Sequence, residues 1–250
     1  MVYKKIISSL LLLACLACHS QVKKLAPITG LATEQKTASS GNHYSIFHKG
    51  SNKIKLTNTR PDKKDTSVLL CIAAAFTGLD DGKVDGAYAV DGLIKQEVPN
   101  MGLGGAILLN NKSCEIFPYH AYPPPSGIIK DPTLNKEMQK KITQGKYSFF
   151  QQIQLIINGQ AERFFDEKLF QRRAIVTYKD KKVAIIESKE PITLAAFSKD
   201  LVELGAYNAL YTDMGSWDEG WYRDGGGKVI SIGTSKSQTA RQSNWVVFAK

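Results

Sequence analysis

Residues 183–213 read VAIIESKEPITLAAFSKDLVELGAYNALYTD, and their reading decides the fold class. Residues 183–187 form an apolar run of strand type. Thr193 fits a helix N-cap, because its hydroxyl can accept a hydrogen bond from a free amide of the first turn. Leu194, Phe197, Leu201 and Leu204 then recur at steps of three, four and three, one apolar stripe on a helix over 194–204. Gly205 stands where a left-handed residue ends such a helix. Residues 207–212 are strand-like again and stop at Asp213. A strand, a helix and a strand in this order lay their two strands parallel, with a right-handed crossover. In open sheets of that kind ligands gather beyond the carboxyl ends of strands, which is where Asp213 stands.

The chain after Asp213 is dense in rings and charges. Trp217, Asp218, Glu219, Trp221, Tyr222, Arg223 and Asp224 fall within eleven residues. Flat apolar rings suit the C–H faces of a sugar, so Trp217, Trp221 and Tyr222 are candidates for a stacking floor. The same rings also serve to close the end of a core. Gly225–Gly227 with Lys228 lacks the pattern of a phosphate loop and reads as a glycine-rich turn.

Upstream, residues 174–178 and 183–187 flank a turn at 179–182. The run at 149–157 ends at Asn158-Gly159, a strong turn signal. Residues 67–76, SVLLCIAAAF, are continuously apolar, as for a strand covered on both faces. Residues 44–47 and 53–56 alternate, 87–94 are β-like, and 105–109 and 114–117 flank a turn. A short helix fits 134–143, closed by Gly145. Strands at 227–233 and 244–249 complete the set. The expectation is an α+β fold: a mixed, strand-rich sheet with few helices and one C-terminal βαβ unit.

The N-terminus has a different character. Lys4 and Lys5 precede a short apolar run, too short for a lasting transmembrane helix and shaped as an export signal. Leu12-Leu13-Ala14-Cys15 has the form of a bacterial lipoprotein cleavage site, with Cys15 as the lipidated residue. Cys18 is the second candidate, and a plain secretory signal cleaved near His19 or Ser20 is the other reading. The expected organisation is a signal peptide at 1–14, a flexible tether at 15–42 and one domain at 43–250. That places the domain in a bacterial cell envelope, at the outer membrane or in the periplasm. Cys71 and Cys114 then form either one bridge or two buried thiols.

The 250 residues carry 33 Lys and Arg against 23 Asp and Glu, a net charge of +10. Cleavage before Cys15 removes two lysines and no acid, so the domain stays basic and suits anionic glycans, phosphates or lipid headgroups. The lysines are scattered and no nucleic-acid module is visible, so nucleic acid is not an expected partner. No Cys/His spacing fits zinc. No cofactor is expected, with a divalent cation at Asp80, Asp81 and Asp85 left open. His120, a lone loop histidine, could serve as a base.

Residues 68–249 resemble the phosphodiester glycosidase domain family, that of the lysosomal uncovering enzyme, as a divergent bacterial lipoprotein member. Phe150-Gln151, Leu155-Ile156 and Asn158-Gly159 resemble its Phe-Gln, Leu-Leu and Gly segment. Arg172-Arg173-Ala174-Ile175 resembles its Arg-Thr-Ala-Ile strand. Thr193-Leu194, Leu204-Gly205-Ala206 and Ala209-Leu210 resemble its helix and following strand. Asp213-Met214-Gly215-Ser216 sits where the family carries Asp-Gly-Gly. The resemblance implies hydrolysis of the bond between a sugar and a phosphodiester. It implies site roles for Asp213 and Arg172 as catalytic residues and for Gln151 as a substrate-binding one; Arg173 and Ser216 beside them, and the rings of Trp217 and Trp221, are the further substrate-binding candidates. The chemistry is sound: a guanidinium forks onto phosphate, and a carboxyl group can act as acid, base or nucleophile at an anomeric carbon. Asp218 or Glu219 could supply a second carboxyl group.

The chain departs from the family at four places. Ala73-Ala74-Ala75-Phe76 replaces an Asn-Gly-Gly stretch followed by Tyr or Phe, Arg173 a Thr, Met214 a Gly and Gln154 a Pro. Two readings therefore stand: an exported hydrolase-like domain acting on sugar phosphodiesters, or a catalytically degenerate envelope lipoprotein that binds glycan or phosphoglycan.

Overall fold

A computed structural model of the chain describes residues 30–78, 81–119, 134–215, 218–233 and 238–250. Among these residues the strands are, in chain order, β1 (Ala32–Thr37), β2 (His43–His48), β3 (Lys53–Thr57), β4 (Val68–Ala73), β5 (Tyr88–Val90), β6 (Leu93–Gln96), β7 (Gly104–Leu109), β8 (Cys114–Pro118), β9 (Ser148–Ile157), β10 (Gln160–Ala161), β11 (Arg173–Thr177), β12 (Val183–Ser188), β13 (Asn208–Tyr211), β14 (Gly220–Arg223), β15 (Val229–Ile232) and β16 (Trp245–Ala249). The helices are α1 (Lys136–Gly145) and α2 (Leu194–Glu203). Neither is long and apolar enough to cross a membrane.

The strands form two sheets. The larger runs β1-β2-β12-β11-β13-β9-β5-β6, with β7 and β10 also on β9 and β8 on β7. The smaller runs β15-β14-β4-β16-β3. Every pairing is antiparallel, so the expected mixed sheet is corrected to two antiparallel sheets and the protein is mostly β. The strands that flank α2 are not neighbours. β11 lies between β12 and β13 and runs antiparallel to both.

Period-two alternation builds the layers. Along β16, Val246 and Phe248 point into the core between the sheets, while Trp245 and Val247 point outward. Along β11, Ile175 joins the same inner core, and Ala174 and Val176 face α2. Helix α2 lays Leu194, Phe197 and Leu201 on that face. Its Thr193 cap accepts from the Ala196 amide at 3.1 Å. Helix α1 packs Met138 and Ile142 against Phe149 and Leu108.

Some local features differ from expectation. Residues 32–37, placed in the tether, form edge strand β1, which pairs with β2 along its whole length. The left-handed residue that ends α1 is Lys146, at φ 47°, rather than Gly145. Cys71 and Cys114 are free thiols, one in each sheet. Burial pushes the Cys114 thiol up to about 12, and it raises Cys71 as well.

Gln154 replaces the proline of the resembled pattern, and its role is visible. The register slips between Ala209 and Leu210, and the Gln154 amide fills the irregularity, donating to Ile156 O at 2.6 Å and Ala209 O at 3.2 Å. Space for it comes from Gly105, where a Cβ would stand 2.6 Å from both Gln154 Oε1 and Leu210 Cδ1. Gly105→Ala should therefore destabilise the fold by about 1–3 kcal/mol in urea unfolding, the usual cost of overpacking. An unchanged midpoint would show that this contact yields freely.

Candidate functional site

Asp213 follows β13 at the end of the large sheet and reaches the end of β4, its amide donating to Ala74 O at 2.9 Å. The residue is 2% exposed. Oδ1 accepts from the Gly215 amide at 3.1 Å, while Oδ2 is buried without a partner. Burial pushes the carboxyl up to about 6; the Gly215 amide opposes this, the charge of Asp218 adds to it, and the Thr77 amide and Arg173 oppose it. A carboxylic acid held protonated toward neutral pH and carrying an unused oxygen is suited to proton transfer.

The polar side chain missing from 73–75 is supplied from another strand's approach. All three alanines are fully buried, and Asn244, just before β16, clamps Ala75. Its Oδ1 accepts from the Ala75 amide at 2.7 Å, and its Nδ2 donates to Ala75 O at 3.1 Å and Thr77 Oγ1 at 3.3 Å. Sequence reasoning missed Asn244. Its only signal there is an amide abutting an apolar strand.

The two adjacent arginines face opposite ways, as period two requires. Arg173 is fully enclosed on the inner side. Its Nε donates to Glu187 Oε2 at 2.5 Å, and Nη1 and Nη2 fork onto Asp218 at 2.8 and 3.1 Å. Burial alone would lower its pKa, but Asp218 and Glu187 more than offset that and raise it.

Arg172 lies on the α2 side and is 5% exposed. Its donors reach Ile192 O at 3.1 Å, Lys168 O at 2.8 Å and Tyr211 Oη at 3.3 Å. Its guanidinium lies 5.1 Å from the Phe170 ring centroid and 5.8 Å from that of Tyr211. Among the described residues no carboxylate forms an ion pair with it. Burial raises the Tyr211 hydroxyl, Arg172 lowers it and Asp213 raises it, so the tyrosine feels both candidate charges. Arg172 and Asp213 share that neighbour without touching. Arg173 is the arginine whose charge acts on Asp213.

The other expected residues are placed elsewhere. Gln151 is buried, and its amide clamps the loop before β7: Oε1 accepts from the Ala87 and Asn100 amides at 2.8 and 3.0 Å, and Nε2 donates to Asn100 O at 3.1 Å. Trp221 is fully buried on the outer side of the small sheet, with Val68, Cys71 and Trp245, and presents no ring face to solvent. Ser216, Trp217, Cys15, Asp80 and His120 lie outside the described residues. Asp218 is engaged by Arg173, and Glu219 by Arg60 at 2.6 Å. Among the described residues no three His, Cys, Asp or Glu side chains group as metal ligands. Asp81 pairs with Lys83, and both Asp85 oxygens accept from Asn100 Nδ2 at 2.9 Å. A groove of about 650 Å³ passes Phe76, Thr77, Asp85 and Val98. The Phe76 ring meets Tyr211 edge-on at 6.2 Å.

No protein-family model matches the chain, and no curated protein matches it by sequence. Its structure is similar to the zebrafish N-acetylglucosamine-1-phosphodiester alpha-N-acetylglucosaminidase catalytic domain auto-inhibited by pro-peptide. The TM-score is 0.55 at 14% identity, over 88% of this chain and 82% of that one. It is also similar to a hypothetical protein from Synechocystis, with a TM-score of 0.56 at 14% identity, over 88% of this chain and 62% of that one. These likenesses establish a distant relationship of fold.

The Asp213 carboxyl carries a stability signature. Folded, it keeps its proton to about pH 6; unfolded, it loses it near 3.8. The folded state thus binds more protons between those values, and stability falls as pH rises through the window. Asp213→Asn should abolish that fall and stabilise the protein at pH 7.5 by about 1–3 kcal/mol in urea unfolding. A variant less stable than the wild type at that pH would contradict the assignment.

Proposed function

We propose that the protein is an exported, lipid-anchored domain of the cell envelope that cleaves sugar-phosphodiester linkages. The observation that carries this reading is Asp213, an enclosed acid raised to about 6 with one oxygen unengaged. In the proposed reaction its proton passes to the phosphate oxygen as the bond to the anomeric carbon breaks, and water takes the leaving group's place on the sugar, giving up a proton that restores the acid. Arg172, a buried cation with no carboxylate pair among the described residues, holds the phosphodiester charge. Asp218 and Glu219 are each engaged by an arginine, so neither supplies a free second carboxyl group. The distant fold likeness to a phosphodiester glycosidase domain is consistent with hydrolase chemistry. The lipid on Cys15 and a glycan or sugar-phosphate partner, with no nucleic acid, belong to the same proposal.

A second reading has its own support. The fully buried alanines at 73–75 and the enclosure of Asp213 fit a pocket that binds glycan and no longer turns it over.

The mature protein should release sugar from a panel of sugar phosphodiesters, with a rate that falls as pH rises through about 6. Asp213→Asn should lower the rate by about 10²–10⁴-fold, the usual share of a general acid. Saturable glycan binding without turnover would establish the second reading. Neither binding nor turnover across the panel would remove both.

A further inference from the structure

Residues 162–171, ERFFDEKLFQ, connect β10 to β11 and end beside Arg172. Phe165 is 93% exposed, Leu169 63% and Phe170 53%. Of the six exposed large apolar side chains among the described residues, three fall in this one short segment, which makes it a patch rather than scatter. The segment is also fastened. The Glu162 amide donates to Leu155 O at 2.9 Å, and Phe170 exchanges backbone hydrogen bonds with Ile192 at 3.3 and 2.8 Å. Phe164 packs into the α2-side core with Phe76, Tyr211 and Met214. The apolar display is therefore held in place.

The patch is continuous with Arg172, which has no ion pair among the described residues. Lys168 O accepts from Arg172 Nη2, and the Phe170 ring lies against the guanidinium. The Arg172 guanidinium has no carboxylate beside it among the described residues, and its three hydrogen bonds use three of its five N–H groups, so donors are left for an anionic group. The exposed phenyl and leucyl groups of the adjoining segment offer a surface to a hydrocarbon. Both features together suit an anionic amphiphile.

We infer that this site takes a phosphodiester whose second ester group is a long apolar chain, the phosphate at Arg172 and the chain along Phe165, Leu169 and Phe170. The inference rests on Arg172 as the phosphate holder of the proposed function and adds the class of the other alcohol. A single amphiphile fits better than an anionic bilayer face, because the segment itself carries Glu162, Asp166 and Glu167 against Arg163 and Lys168.

Calorimetry with methyl phosphate and octyl phosphate, both below micellar concentration, tests this without requiring turnover. Octyl phosphate should bind ~10-fold tighter or more, since each buried methylene strengthens association. The double change Phe165→Ser and Leu169→Ser, at exposed positions that leave the core intact, should bring the ratio near one. Arg172→Lys should weaken the octyl ester, while octyl glucoside should bind far more weakly than octyl phosphate. Equal affinity for the two phosphates would overturn the apolar subsite and leave the phosphodiester reading standing. No binding of either would overturn Arg172 as phosphate holder, and the inference with it. A ratio insensitive to the double change, or sedimentation of the unlipidated domain with phosphatidylglycerol vesicles, would also overturn it.

Discussion

The enclosed Arg173 guanidinium orders this end of the molecule. It is bound by Glu187 from β12 and by Asp218 from the chain that follows Asp213. Taking such charges out of water is expensive, and breaking one partner away typically costs about 3–5 kcal/mol. Glu187 Oε1 further accepts from Gln171 Nε2 and the Gly233 amide, so the end of β15 is tied to the same centre. There is no room for side chains beside it. A Cβ at Gly220 would lie 2.9 Å from Arg173 Nη2, and one at Gly233 would lie 2.3 Å from Asp218 Oδ2. One cation between two carboxylates leaves a net negative charge inside. Asp218 thereby helps keep Asp213 protonated, and the structural tie also sets the chemistry of its neighbour.

The α2 side of the same sheet has the opposite balance. Arg172 is buried among backbone carbonyls and rings, with no carboxylate partner among the described residues. The Tyr211 hydroxyl accepts from Arg172 and also feels the charge of Asp213. An acid with one unengaged oxygen and a cation without a carboxylate partner among the described residues are the two groups that the proposed reaction uses. The departures from the resembled family are locally compensated: Asn244 clamps the alanine segment, and Gln154 fills a slip in register.

What was legible in the sequence was local. The cap and stripe of α2 lie within a dozen residues, and the Asn158-Gly159 turn announces itself by the positive φ that both residues adopt. Lateral order was not legible, because adjacency in sequence does not say which strand inserts between two others. β11 between β12 and β13 is such a case. Strand β1 read as tether because an edge strand exposed on both faces shows no apolar alternation. The pair Arg172-Arg173 was visible as a candidate, and period two already put its members on opposite faces. Which face held a carboxylate pair depended on Glu187 and Asp218, fourteen and forty-five residues away. Trp221 sits in a ring-rich stretch that looks like a sugar platform, but β14 pairs with β4 and the indole is covered.

The enclosed Asp213 carboxyl is the group on which the proposed chemistry depends. Its titration can be followed directly by the carboxyl-carbon chemical shift of that residue in labelled protein. A midpoint near 6 is expected from burial and the charge of Asp218. A midpoint at or below 3.8, the value of an ordinary exposed aspartate, would contradict it.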